Sequence, residues 1–467
     1  MKSVRYFLLI LLTAGMMMSL MNSCANIIPP DGGPRDSLPP RLVSALPKDS
    51  SLGIAPKLIT LNFDEYVTLN NINENLIVSP SVKNNPLVDA KLRVVNIKIK
   101  DSLEPNTTYS LNFGTGIKDV NEGNFFNNFT YVFSTGNRLD TYRYRGKVIE
   151  AETGKIDSSL IVILHNNLSD TAILKLRPRY YTKINGKGEF EFNYLPAGKF
   201  NVYVLPNDYT KKYDDSTKIF AFAAEPVLVS GNTRMDTLYA YQEFKVKEKT
   251  PVRTGTTEKT SKEDKRLKFV SNLEGGEQSL LKNLELNFSR KLKSFDTTKF
   301  IFCDTNFNKI KDGYRLQLDT SGKKISFIYP WKEMKYFRLI IAKDAVADTG
   351  NTNLSKADTL KIFTKRESDY GSIKLRFSQL KLDQQPILQF IQSETIVESI
   401  RLTGNELYRK LFNPGNYELR ILYDINKNGV WDAGSFLPIK KQPERVLLIR
   451  KPLSVKANWD NEVNIEL

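Results

Sequence analysis

The sequence predicts an all-β chain built from tandem β-sandwiches, and three observations predict it. Short runs rich in Val, Ile, Tyr and Phe alternate with Asn, Asp, Gly and Pro, the pattern of strands joined by tight turns. Within those runs, LITLNFDEYV (Leu58–Val67) alternates apolar and polar residues with a period of two, as a strand with one buried face does. The chain also repeats itself: KLITLNFDEYV from Lys57 returns as KNLELNFSRKL from Lys282, a spacing of roughly 225 residues. The 467 residues exceed one core and suit several domains of about 100 residues each. With 40% hydrophobic and 26% charged residues, the composition is that of a folded chain.

The first element is a signal peptide over 1–23. Lys2 and Arg5 form a positive start, Tyr6–Leu20 is apolar, and small Ser23 precedes Cys24. The apolar run is short for a bilayer span, which needs about 20 residues. Leu20-Met21-Asn22-Ser23-Cys24 resembles a bacterial lipobox, although Asn22 is bulkier and more polar than the usual residue. On that reading Cys24 becomes the lipidated N-terminus; the other reading is an ordinary secretory signal with an incidental cysteine. Ala25 and Asn26 follow, with no acidic residue directly after Cys24, so the expected location is the outer membrane, lipid-anchored, on either its periplasmic or its surface face. Residues 24–40 (ANIIPPDGGPRDSLPP after the cysteine) are too rich in Pro, Gly and Asp to pack and read as a flexible tether. The chain has two cysteines, so lipid on Cys24 leaves Cys303 without an internal disulfide partner.

The folded part reads as two pairs. Residues 41–137 carry about seven short strands, as a sandwich does, and 267–366 are their divergent copy. Residues 142–241 contain GKGEFEFNYLPAGKFNVYVLP, and residues 370–467 contain GNELYRKLFNPGNYELRILYD. Each is a strand, a turn made by Pro and Gly, and an alternating strand; Leu195-Pro196 and Asn413-Pro414 keep a register of 218. Between the pairs, 242–266 is charged and nearly free of apolar residues, a linker. The order is A–B–A–B.

The opening PPRLVSALPKDSSLGIAPKLITLNFDEYV and the closing GIKDVNEGNFFNNFTYVFSTG resemble SbsA-type bacterial Ig-like domains. GKGEFEFNYLPAGKFNVYV resembles transthyretin-like or carboxypeptidase-regulatory-like β-sandwiches. With the tether GGPRDSLPP and the run DINKNGVWDAG, the whole is similar to Ig-like-domain cell-envelope lipoproteins of Bacteroidetes. That resemblance implies an envelope lipoprotein and no particular reaction.

The candidate metal site is Asp424–Gly434, DINKNGVWDAG. Asp424, Asn426 and Asn428 fall at alternating positions, Gly429 permits a sharp turn, Val430 offers a carbonyl and Asp432 a last carboxylate. An EF-hand would carry a Glu where Ser435 stands, so calcium, the candidate cofactor, would meet only two carboxylates and bind at about 10⁻⁴–10⁻³ M. The alternative is a self-capped Asx turn. In a register of 218 the other B unit places Pro206, Asp208, Thr210 and Asp214 at these positions, so its fold does without a full site.

Enzyme signatures are missing. The one histidine, His165, has no second His or Cys to complete a zinc set, and no nucleophile elbow, Walker or dinucleotide glycine motif occurs. The acidic pairs Asp64-Glu65 and Asp214-Asp215 read as solvated turn or edge charge. The net charge of +16 is scattered along the chain rather than gathered on one helix, which argues against nucleic acid. The expected function is therefore non-catalytic: a structural spacer or protein-interaction module of the envelope, attached to the membrane by lipid and docking another envelope protein. The alternative is a glycan-binding lipoprotein of a nutrient-capture system, using aromatics such as Tyr180-Tyr181 or Phe125-Phe126.

Overall fold

The computed structural model describes residues 36–231, 235–243 and 266–467. The signal peptide, Cys24, most of the tether and most of the charged linker lie outside the described residues. The chain is almost entirely β and divides into two compact units, with the boundary after Leu139.

The first unit is an Ig-like sandwich. One sheet holds Leu42–Leu46, Leu58–Phe63, Val94–Lys98 and Leu87–Lys91 in that order; the other holds Ile77–Ser79, Thr108–Asn112 and Thr130–Ser134. Along Leu58–Phe63 the apolar members Ile59, Leu61 and Phe63 are buried, so the sequence period of two is the core period. Leu61 faces Val95 and Ile59 faces Ile97 across the sheet, and Leu111, Tyr131 and Phe133 close the core from the opposite layer. A short pair, Val67–Leu69 with Ile117–Asp119, seals one end.

The second unit holds three sandwiches. Residues 267–364 repeat the first sandwich: Phe269–Ser271, Leu284–Phe288, Lys324–Ile328 and Arg315–Leu318 follow the same strand order, and Leu292–Phe295 with Val346–Asp348 is the same sealing pair. The two B-type sandwiches share another topology. In each, the first strand runs parallel to the last and antiparallel to a middle strand: Tyr142–Glu150 with Asp236–Gln242 and Glu189–Leu195, and Gly371–Ser378 with Asp460–Glu466 and Glu406–Phe412.

The two B copies differ in one place. In residues 142–242 the strand Ile219–Phe222 pairs with both Gly198–Pro206 and Asp236–Gln242, so the two layers join into one continuous sheet. In residues 371–466 the layers stay separate: the strand Arg445–Val455 takes the place beside Gly415–Tyr423 but does not pair with Asp460–Glu466, and the long loop Asp424–Glu444 precedes it.

The structure also corrects the register between the copies. Leu160 pairs with Pro206 and Pro386 pairs with Tyr423, so Pro206 matches Tyr423 and not Asp424. The extra Ala197 in Leu195-Pro196-Ala197-Gly198, against Asn413-Pro414-Gly415, moves every later position by one. The residue matching Asp424 is thus Asn207.

Candidate functional site

The Asp424–Glu444 loop leaves the strand Gly415–Tyr423 at the edge of its core. Asp424 is fully buried. Its carboxylate accepts a hydrogen bond from Arg401 Nη2 at 2.6 Å, from the Gly429 amide at 3.0 Å and from the Asn428 amide at 3.1 Å. Burial alone would raise its pKa, but Arg401 and these amides outweigh it and hold the group below the usual carboxylate range. Gly429, at φ 84°, supplies the left-handed turn that brings its amide back onto Asp424.

The remaining predicted ligands turn another way. Asn426 Oδ1 accepts from the Asn428 amide at 3.1 Å, and Asn428 Oδ1 accepts from the Val430 amide at 2.8 Å. Both asparagine side-chain amides donate to Asp432 Oδ2, Asn428 at 2.9 Å. Glu444, which sequence reasoning missed, closes the loop from beneath. Its buried carboxylate accepts from the Ile425 amide at 3.0 Å and the Asp432 amide at 3.2 Å, while its carbonyl accepts from Trp431 Nε1 at 2.9 Å. Burial, with Asp432 and Asp424 nearby, raises its pKa. The structure thus joins Asn426, Asn428 and Asp432 in one patch and turns Asp424 inward onto Arg401. A calcium ion here would have to displace Arg401 or the asparagine amides.

The matching loop in the other copy is also closed by a protein cation. Lys218 Nζ lies 2.5 Å from both Asp208 Oδ2 and Asp214 Oδ1. Asp208 accepts further bonds from the Lys211 amide and Thr210 Oγ1. A third acidic group sits in the first sandwich, where carboxylate oxygens of Glu65, Asp119 and Glu122 lie within 4.8 Å of one another. Asp119 is buried and accepts from the amides of Glu122, Gly123 and Asn124 at 2.6–2.8 Å. Burial, then Asp119, Asp64, Asp36 and Glu122, push Glu65 up. In the repeat, Asp348 is the counterpart of Asp119, since each ends the sealing pair opposite Leu292 or Val67. Glu65, two residues before Val67, then corresponds to Arg290, whose Nη1 lies 3.2 Å from Asp348.

The other residues singled out in the sequence sit as follows. His165 is buried against the ring of Tyr203, and burial pushes its pKa down to about 4. Cys303 is buried, which raises its thiol pKa. Tyr180 packs in the core between the layers and Tyr181 against the outer face, under Lys211 Nζ at 4.9 Å. Phe126 packs edge-on to Phe63, while Phe125 stays half-exposed beneath Lys118.

Residues 36–135 match the family described as bacterial Ig-like domain. No curated protein matches the chain. Among solved structures, the chain is similar to the Bacillus anthracis TIE protein, at 9% identity over 94% of this chain and 75% of that one, with a TM-score of 0.16. It is similar to BcpA, the major pilin subunit of Bacillus cereus, at 10% identity over 69% and 99%, with a TM-score of 0.16. It is similar to the N-terminal part of the bacterial S-layer protein SbsC, at 14% identity over 44% of each chain, with a TM-score of 0.16. The Ig-like character of residues 36–135 is seen in the family match and in the order of the strands.

Proposed function

We propose that this chain is a non-catalytic structural or docking lipoprotein of the cell envelope, held to the outer membrane by lipid on Cys24. The observation that supports a structural reading most is how its acidic loops are used. Asp424, Asp208 with Asp214, and Asp348 each meet an Arg or Lys of the chain and backbone amides, so their charge holds loops in shape rather than facing a substrate. The bacterial Ig-like match over 36–135 fits the same reading. A glycan site would need a planar aromatic platform, and Tyr180, Tyr181 and Phe126 are taken up by packing.

Lipidation of Cys24 is tested by feeding cells a labelled fatty acid and separating their membranes. The wild-type chain is expected to carry the label and to sediment with the outer membrane, and Cys24→Ser to lose both. A Cys24→Ser chain that stays in the outer membrane would remove the anchor from the proposal. Cross-linking in intact cells, followed by purification of the chain, is expected to recover one abundant envelope protein; recovery of saccharide instead would favour the glycan-binding reading.

A further inference from the structure

The outer face of the sandwich at residues 142–242 is apolar where a sandwich usually meets water. In the strand Leu160–His165, Val162 and Leu164 enter the inner core, while Ile161 and Ile163 point outward, yet all are buried. Tyr203, Leu205, Phe220, Phe222 and Tyr241 extend this outer layer. Beside Ile173 and Tyr213 of the same sandwich, the residue that packs this layer is Phe436, some two hundred residues away in the Asp424–Glu444 loop. It is fully buried, with its ring centroid 5.1 Å from Phe220, 5.3 Å from Phe222 and 5.7 Å from Tyr203.

The loop is shaped to deliver it. Ser435 and Lys441 exchange backbone hydrogen bonds of 2.9 and 2.8 Å, pinching the loop into a closed tip. Around the tip, Lys440 pairs with Asp170, Gln442 Nε2 donates to the Phe222 carbonyl at 3.0 Å, and the Arg445 guanidinium covers the Tyr239 ring at 4.6 Å. At the base of the tip the Val446 amide donates to the Ala151 carbonyl at 2.9 Å. Next to that bond Gly154, at φ 70°, lets the backbone of Leu448 approach so closely that a Cβ would lie 2.8 Å from its nitrogen.

We infer that the Asp424–Glu444 loop is a peg that locks the second and fourth sandwiches into one cooperative body, with the third carried between them in sequence. The hydrogen-bonded polar ring around Asp424, Asp432 and Glu444 makes the base of the peg stiff, and Phe436 seats it in a socket of aromatic side chains. The strand Ile219–Phe222, which joins the layers of the second sandwich, forms the floor of that socket. Seating the peg therefore also protects the second sandwich's own closure.

The test is hydrogen exchange of the full chain, followed by mass spectrometry of peptides from Ile219–Phe222 and Ser435–Val446. In Phe436→Ala the opening of both segments is expected to rise together, by a factor on the order of 10²–10³, the effect of truncating a fully buried Phe. Protection of Gly371–Ser378 and Pro386–Gln392, in the fourth sandwich's own core, is expected to persist, which separates unlocking from failure to fold. Lys440→Glu is expected to open both segments a few-fold, as exposed pairs do, and the double variant Lys440→Glu with Asp170→Lys to restore them. Unchanged exchange of Ile219–Phe222 in Phe436→Ala would overturn the lock. So would protection of both segments that vanishes on dilution, since the peg would then be seated in a neighbouring copy.

Discussion

Gly434→Ala tests the peg without substituting any of its side-chain partners. A Cβ at Gly434 would lie 2.7 Å from the Lys441 carbonyl oxygen and 2.7 Å from Cζ of Tyr241, where ordinary contact begins at 3.4 Å. Neither neighbour can retreat. The Lys441 carbonyl is held by the Ser435 amide, and the Tyr241 ring is wedged edge-on to Phe220 and Phe222. The methyl group can be relieved only by withdrawing the loop from the second sandwich. Overpacking of this kind costs about 1–3 kcal/mol, and Ala recovers about 0.4–1 kcal/mol by stiffening the unfolded chain. The net loss is then between about 0 and about 2.6 kcal/mol, centred on about 1, read as a lower urea midpoint for the transition that includes residues 142–242. Gly429→Ala is the control. Gly429 has φ 84° and nothing within 4 Å of its Cβ position, so its cost of about 1 kcal/mol is backbone strain alone and leaves the exchange of Ile219–Phe222 unchanged. If Gly434→Ala unfolds like the wild type, or if Gly429→Ala exposes Ile219–Phe222 as much as Gly434→Ala does, the steric argument fails.

Arg401→Ala leaves Asp424 buried without its cation; because Arg401 is itself partly exposed, the expected loss is about 2–3 kcal/mol by urea unfolding, below the range for a fully buried pair. Because the folded-state pKa of Asp424 is depressed, its contribution is present above the unfolded value and lost as pH falls through the folded one, so acid should narrow the gap between Arg401→Ala and wild type. Millimolar calcium is expected to leave the melting temperature unchanged in wild type, Asp424→Ala and Asp432→Ala alike, checked by calorimetry; a one-site heat lost in both variants would make the loop a metal clip. Glu65→Arg, which places in the first sandwich the cation that Arg290 supplies in its repeat, is expected to raise the melting temperature of that unit by a few degrees, read by scanning calorimetry. Tyr241→Phe removes a buried hydroxyl that has no hydrogen-bond partner among the described residues, so it is expected to be neutral or stabilising by thermal melt.

Much of the fold could be read from periodicity, because Leu58–Phe63, Glu189–Leu195 and Gly371–Ser378 each bury one face and show it as alternation. The loop was legible as far as its own turn: Asn426, Asn428 and Gly429 are where Asx and glycine chemistry predicts a reversal. Its destination was not. Asp424 reads as a ligand only until Arg401 is placed beside it, and Arg401 lies on a strand that meets it through pairing distant in sequence. Phe436 carried no signal of its own, since one Phe in a polar loop suits an exposed residue as well as a peg. The signal lay in the socket. Leu160–Leu164 reads LIVIL, a continuous apolar run that a half-exposed strand does not need, and such runs mark strands covered on both faces.

The two B copies show how such a lock can arise from a duplication. Both inherited an acidic loop after the strand that follows the Pro-Gly turn. In the second sandwich Lys218 bridges Asp208 and Asp214, so the loop folds back on itself and the chain returns to the sheet as Ile219–Phe222. In the fourth, the Asn426 and Asn428 amides hydrogen-bond Asp432, and a longer loop carries Phe436 away from its own core before the chain returns to the sheet as Arg445–Val455. The contact is heterologous, the loop of one copy against the sheet of the other, so nothing in either copy alone limits it to one partner. What limits it is connectivity. With both halves in one chain the peg meets its own socket at a high effective concentration, and a seated peg packs the Ile161, Ile163 and Tyr203 face against the chain itself. A chain with Phe436→Ala should therefore expose the Ile161, Ile163 and Tyr203 face and bind a hydrophobic dye before it unfolds, and a variant that binds none would show that another segment covers that face.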